Sequence, residues 1–349
     1  MYSNGYRFRI KITVKKEMVA GGVDISNFAF PINVTKNSLR QVGLGGKVYN
    51  SNGYDIIFTD ASNNQLSHEI EYYAPTLGTF VGNVKITAGG SANTIIYMYY
   101  GNNSISTSQE NITSVWSDNF VGVWHLNDTN YLDSTSYNTD LTTESSPALA
   151  TNNYLYKGVD TNSGSLVDTT PNGNIYQSTP TFECLCKLES LLSTDGPLVT
   201  IDGGFSGDGW ITLNLDSSER PYFRKSHGTG SGEYSQVTSP DALSLDTWYH
   251  IVGTRPTTST MRIYVNGVLK ASISGTDTRL AGNNGSFRIG FRDSRRFLGE
   301  IDEVRLHSTP RSANYITTLY RSLLQQSTYV TYGEQEPLDS GGAFLLNFV

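Results

Sequence analysis

The stretch Trp248–Leu306, WYHIVGTRPTTSTMRIYVNGVLKASISGTDTRLAGNNGSFRIGFRDSRRFLGEIDEVRL, is the most legible part of the chain. Met261, Ile263 and Val265 alternate with Arg262 and Tyr264, the period-2 signature of a strand. Asn266-Gly267 follows and predicts a hairpin, because a type I′ turn needs two residues that tolerate positive φ. Val268 to Ile273 reads as the return strand, and Phe287, Ile289 and Phe291 mark a third. Ile301 and Val304 lie three apart, which breaks alternation. If both are buried, a β-bulge belongs near Asp302-Glu303.

Working outward, 349 residues suggest two domains with ample core. Net charge is −7, from 32 acidic and 25 basic residues, and only 16% of residues are charged. That balance argues against a nucleic-acid partner, which selects a basic surface. With 22 tyrosines and 14 phenylalanines among many Ser, Thr, Asn and Gly, the chain reads as all-β with polar loops. Cys184 and Cys186 are two apart on a predicted strand, so they share a face roughly 7 Å apart, too far for a bridge. Both are read as packed thiols. Met1 to Lys16 enters a strand at once, without the apolar core of a secretion signal, and no run of ~18 apolar residues occurs. The expectation is a chain without a visible secretion signal and without membrane insertion.

Tyr6, Phe8, Ile10, Ile12 and Val14 alternate with polar residues and form the first predicted strand. Phe28 to Val34 gives a second, with Pro31 pointing to a sheet edge or bulge. Tyr54 to Tyr73 reads strand, turn, strand. Phe80 to Ile86 and Thr94 to Tyr100 follow, the last apolar on both faces and so central. Residues 102–117 are a Ser/Asn/Thr-rich link. The expected division is a small β-sandwich-like domain at 1–112, a second domain at 113–336 and an apolar tail at 337–349. Late in the second domain Ile316, Leu319, Tyr320 and Leu323 keep helical spacing behind the N-cap candidate Ser312. A closing strand is expected at Thr328–Tyr332. The tail, DSGGAFLLNFV, offers Phe344, Leu345, Leu346 and Phe348 to a partner or to its own domain.

Trp248–His250, Ile263–Gly267, Phe287–Gly290 and the F-x-G-x-I-D-E-V segment Phe297–Val304 together resemble a laminin-G-like, concanavalin A-like jelly roll. Asp133–Asn138 is similar to the D-x-S-x-x-x-N loop of such domains. Residues 5–102 resemble a family of small uncharacterised β-domains that precede laminin-G-like domains in prokaryotic surface proteins and phage virion proteins. The segments that carry this are Tyr54–Asp60, Leu66–Glu71 and Ile96–Asn102. The resemblances imply an all-β fold, a β-sandwich-like domain followed by a jelly roll with one short C-terminal helix.

For function, Glu300-Ile301-Asp302-Glu303 invites comparison with concanavalin-fold glucanases, whose retaining chemistry needs two carboxyls ~5–5.5 Å apart. Glu300 fits the nucleophile, but Val304 and Arg305 stand where the acid/base belongs, so no catalytic residue is expected. The five histidines show no zinc spacing. The resemblance implies that Ca²⁺ is the one cofactor with ligands on offer, from Asp133, Asn138 and Asp302. Asp133 and Asn138 suit an Asx-type turn equally. Trp210, Tyr222 and Phe223, beside glycine loops, are the aromatic candidates for a glycan-binding rim. The expected function is a non-catalytic virion structural or adhesion protein of a bacteriophage: a capsid decoration, head fibre or tail accessory, made in the host cytoplasm. Its expected partners are other virion proteins through the tail and host surface glycans, with an oligomer on the particle. The alternatives are a carbohydrate-binding adhesin of a prokaryotic cell surface and a glycan hydrolase.

Overall fold

The computed structural model describes residues 5–338 except 128, 146, 151–157, 163, 169–174, 203–208, 227–233 and 277–284. The tail residues Phe344, Leu345, Leu346 and Phe348 lie outside the described residues. Two compact units emerge. One joins Met1–Val115 to Gln325–Val349, and the other is Trp116–Leu324.

In the first unit the alternating segment Phe8–Val14 is a central strand, with Ile10, Ile12 and Val14 buried. It lies between Thr94–Tyr100 and Val330–Pro337, and the sheet continues to Ile57–Asp60 and Gln65–Leu66. A second sheet runs Ile25–Thr35, Thr79–Ala88, His68–Ala74. Pro31 thus sits on an edge strand, which also bulges between Ile25 and Phe28.

From sequence the closing strand is expected inside the jelly roll; it pairs instead with the first strand of the chain. Val330 faces Val14, Tyr332 faces Ile12 and Pro337 faces Phe8. The division 1–112, 113–336 and 337–349 is corrected accordingly: the jelly roll is inserted between two pieces of one domain. A strand buried at the middle of a sheet must satisfy backbone groups on both edges, and Phe8–Val14 finds its second partner more than 300 residues away. Gln326 secures the return. Its side chain is buried, its Nε2 donates to the Pro31 carbonyl (2.8 Å), and its Oε1 accepts from the Tyr332 hydroxyl (2.9 Å).

The second unit is a two-sheet jelly roll. One sheet runs Ala148–Ala150, Gly158–Asp160, Gly299–His307, Thr181–Leu188, Trp248–Thr257, Thr260–Val265, Val268–Ser274, with Phe120–Trp124 also paired to Gly299–His307. The other runs Tyr234–Thr238, Pro221–Ser226, Ile211–Leu215, Gly196–Ile201, Phe287–Ile289, Ser165–Asp168, Thr142–Ser145. The core between them contains Phe182, Cys184, Cys186, Phe223, Ile263, Phe287, Ile301 and Val304. Both cysteines are free, packed thiols.

The hairpin forms as expected, with Asn266 and Gly267 at φ 50° and 75°. The bulge falls at Glu303, whose φ is 50°. There the partner strand advances only from Glu183 to Leu185 while this one spans Arg305 to Asp302, and Ile301 and Val304 both stay in the core. The strand expected through Phe291 breaks at Gly290. Its φ of 78° turns the chain, and Phe291–Arg292 forms a separate ribbon with Arg295–Arg296. The helix Ala313–Leu324 begins with the Tyr315 N–H donating to Ser312 Oγ (3.2 Å). It packs Ile316 against Val252 and Tyr264, on the outer face of the first sheet of this unit.

Candidate binding face

Alternation decides what the seven-stranded sheet shows outward. Phe223, Leu213 and Val199 face the core, so their neighbours in sequence face out. The register lays Gln236, Arg224, Thr212, Thr200, Arg288 and Val167 in one row across the strands. Thr200 and Thr212 hydrogen-bond to each other (2.7 Å) and form a buried floor. On the next row Tyr222 is bonded on both sides. Asn214 Nδ2 donates to its oxygen (2.7 Å), and its hydroxyl donates to Asp195 (2.8 Å). Burial pushes the Tyr222 phenol up, so it stays a donor.

Guanidinium groups and aromatic rings interleave over this floor. Arg224 lies 4.6 Å from the Tyr222 ring centre, 4.5 Å from Tyr234 and 5.8 Å from Trp210, and its Nε donates to Gln236. Arg292 lies 3.7 Å from the Trp210 ring centre. Asp202 bonds Arg288 and accepts from Arg292 Nε (3.3 Å). Burial raises the Asp202 carboxyl's pKa, and the two cations beside it work in the opposite direction. Such cation–π contacts fix a guanidinium plane in a way that a lone surface arginine is not fixed. The half-exposed Tyr234 ring (48%) borders the cluster on the edge strand.

Of the aromatic candidates, Trp210 and Tyr222 belong to this cluster. Phe223 does not: it is fully buried and its ring meets Phe182 at 5.6 Å, because one step along a strand reverses the face. Sequence reasoning missed Arg224, Arg292, Arg295 and Asp195. The strand alternation around Phe223 was the signal that could have placed Arg224 beside Tyr222.

The calcium candidates are not assembled for a metal. Asp133 accepts from the backbone N–H of Val123, Thr135 and Thr139 and from the Thr135 hydroxyl, at 2.8–3.0 Å. Its lone pairs are spent on shaping the loop. Burial raises its pKa and these four donors work against that. Asn138 is exposed in the loop with φ 51°, a turn role. Asp302 is fully buried in the middle of a sheet and accepts from the Glu303 N–H (2.8 Å). Glu300 is bound to Lys187 Nζ (2.7 Å), which also holds Glu189 (3.1 Å). A second carboxylate therefore stands near Glu300, from the end of the neighbouring strand, but one ammonium bridges the two. Burial raises the Glu300 pKa, while Lys187 and Asn162 lower that of Glu189. In the first unit a cavity of about 390 Å³ is lined by Asp60, Leu66, Lys85, Ile86 and Ile96 among others. Its charges are engaged internally, Asp60 by Ser62 and Asn64 and Lys85 by the Ser114 carbonyl.

Residues 160–317 match the family described as the concanavalin A-like lectin/glucanases superfamily, of laminin G type. The inserted jelly roll is a laminin-G-like domain. Residues 52–139 match a domain of unknown function, DUF2341, so the laminin-G-like domain is preceded by it. No curated protein matches the chain. Among solved structures, domain 4 of AbnA, an extracellular arabinanase of family GH43 from Geobacillus stearothermophilus in complex with arabinotriose, is 19% identical with a TM-score of 0.48. That match covers 58% of this chain and 98% of the other. The binding domain of Paraclostridial Mosquitocidal Protein 1 is 16% identical with a TM-score of 0.48, over 58% of this chain and 52% of that one. A botulinum neurotoxin type C structure, whose description ties cell entry to two ganglioside molecules, is 14% identical with a TM-score of 0.45, over 60% and 52%. The match thus spans about half the length of the two toxin chains.

Proposed function

We propose that the laminin-G-like domain is a non-catalytic carbohydrate-recognition module and that it binds on the outer face of its seven-stranded sheet. The observation that carries this is the cluster of Trp210, Tyr222, Arg224, Tyr234 and Arg292, held over a floor of buried hydroxyls. Sugars present apolar ring faces and a dense set of hydroxyls. Sites for them combine an aromatic surface with a few fixed polar groups. Here Tyr234 supplies the accessible ring, and Trp210 and Tyr222 hold the guanidiniums in place.

The test is a glycan array probed with the full chain and with Tyr234→Ala and Arg224→Ala. Recognition of at least one glycan class, lost in both variants, is expected. Recognition that survives both variants, or no recognition at all, overturns the proposal. In this reading the protein is an adhesin. Placement on a bacteriophage particle draws its support from composition and from the apolar terminus, Phe344 to Phe348. Mass spectrometry of purified particles tests it, and absence of the chain refutes it.

A further inference from the structure

We infer that the ligand of this face is an acidic sugar, recognised through its carboxylate. This inference rests on the binding face proposed above and specifies its chemistry. The argument is a donor count. Asp195 is the carboxylate that two guanidiniums face, yet its Oδ2 is committed to the Tyr222 hydroxyl at 2.8 Å. Arg295 Nη1 stands 3.7 Å from that oxygen and Arg224 Nη1 stands 4.0 Å from it. Both distances exceed hydrogen-bond length, which ends near ~3.2 Å. The two cations are therefore drawn to one carboxylate and bonded by neither of their facing nitrogens.

The rest of the face has the same imbalance. Arg292 spends its Nε on Asp202 and keeps both Nη groups without a hydrogen-bond acceptor among the described residues. Arg224 spends its Nε on Gln236 and likewise keeps both Nη groups. Asp202 accepts from Arg288 and Arg292, and Tyr222 is saturated. Free donors thus outnumber free acceptors, on a chain whose net charge is −7. A neutral sugar hydroxyl both donates and accepts and fits a mixed lining. A carboxylate accepts only, and it matches a guanidinium fork in a bidentate, charge-assisted pair. Arg295 is the most exposed of the four arginines, with 43% of its side chain open, and it is the natural first contact.

Matched probe pairs test this with the full-length chain at about 0.15 M salt, where exposed charges more than ~8 Å apart are screened. The pairs are polygalacturonate with its fully methyl-esterified form, and 3′-sialyllactose with lactose. The acidic member of at least one pair should bind about tenfold tighter or more than the neutral one. Arg295→Ala should remove that preference, since one charge-assisted pair is worth about a factor of ten. Lys270→Ala, which removes a cation from the other sheet, should leave it intact. Equal affinity for acidic and neutral members would overturn the inference and leave glycan recognition standing. Binding of neither would sink the glycan reading with it. A preference that falls equally in Lys270→Ala would mark unspecific charge attraction and also overturn it.

Discussion

Gln326→Ala separates the two ways of dividing the chain. In the structure Gln326 belongs to the first unit, where it joins the edge strand of one sheet, through Pro31, to the closing strand of the other, through Tyr332. Truncation leaves the Pro31 carbonyl without this donor and the Tyr332 hydroxyl without its acceptor. The Asn33 N–H, 3.3 Å from Gln326 Oε1, retains Tyr332 as a second acceptor at 3.4 Å. Burial pushes the Tyr332 phenol up, which marks that oxygen as poorly reached by water. Two stranded buried groups at ~1–3 kcal/mol each give a loss of about 3 kcal/mol. For a unit of this size that is about 10 °C in Tm. All four tryptophans, at 116, 124, 210 and 248, lie in the jelly roll. Tryptophan fluorescence therefore follows the jelly roll, while far-UV circular dichroism follows both units. The expected result is an early circular-dichroism transition that moves down by about 10 °C while the fluorescence transition stays put. A fluorescence transition that moves with it, or no shift at all, would refute the assignment of the closing strand to the first unit.

Asp133→Ala should destabilise the jelly roll by about 3 kcal/mol or more, because four donors lose one acceptor. The fluorescence midpoint reads this directly. Millimolar Ca²⁺ or a chelator should leave the wild-type midpoint unchanged, and a Ca²⁺-dependent rise would restore the metal site. Burial lowers His68 and His307 to about 4. Folding then excludes a proton that the unfolded chain binds below about pH 6.5. Stability from each is full above pH 6.5 and is lost as pH falls towards 4, by about 3 kcal/mol. His68 weakens the first unit and His307 the jelly roll, so His68→Phe should flatten the acid limb of the first alone. Incubation with β-glucans and alginate should give no turnover; turnover that Glu300→Gln abolishes would make the protein a hydrolase.

Local pattern made the hairpin, the bulge and the helix readable. Each is written in about a dozen residues or fewer, and each has a physical signature: Asn266-Gly267 for positive φ, the three-residue gap from Ile301 to Val304 for the bulge, and the 3–4 spacing behind Ser312 for the helix. The return of Val330–Pro337 to Phe8–Val14 has no such signature, because a strand's composition does not name its partner. The binding cluster was half legible. Trp210 and Tyr222 are visible as aromatics beside loops. Arg292 and Arg295 come from beyond the break at Gly290, and Asp195 from the turn before Gly196–Ile201, so only the fold brings them together. Phe223 was misplaced for the plainest reason: a loop-side aromatic looks the same in sequence whichever face it takes.

The eight-stranded sheet explains why the other sheet is the open one. Its outward residues include Glu183, His250, Arg305 and His307, which from sequence resemble a solvated strand face, yet all four are buried. Arg305 bonds Glu303 and lies 5.1 Å from the Trp116 ring centre. His125 meets Glu303 at 2.6 Å, and Glu183 stands 3.2 Å from His307. Arg311 caps the group, with its guanidinium 4.5 Å from the Tyr315 ring centre and Nε donating to His307 at 2.9 Å. Against the opposing effect of burial, His307 and His250 hold Glu183 well below the usual carboxylate range, and His125 and Arg305 hold Glu303 at about 2. Charges buried this way stabilise only as a complete set, since removing one member strands the others at a cost of about 3–5 kcal/mol. A face whose charged groups are buried in such a network, and roofed by Trp116 and the helix Ala313–Leu324, gives a ligand no open approach to them. The seven-stranded sheet has the opposite character. Arg224 and Arg292 are set against rings and keep their Nη groups without an acceptor among the described residues, which is what the acidic ligand proposed above requires.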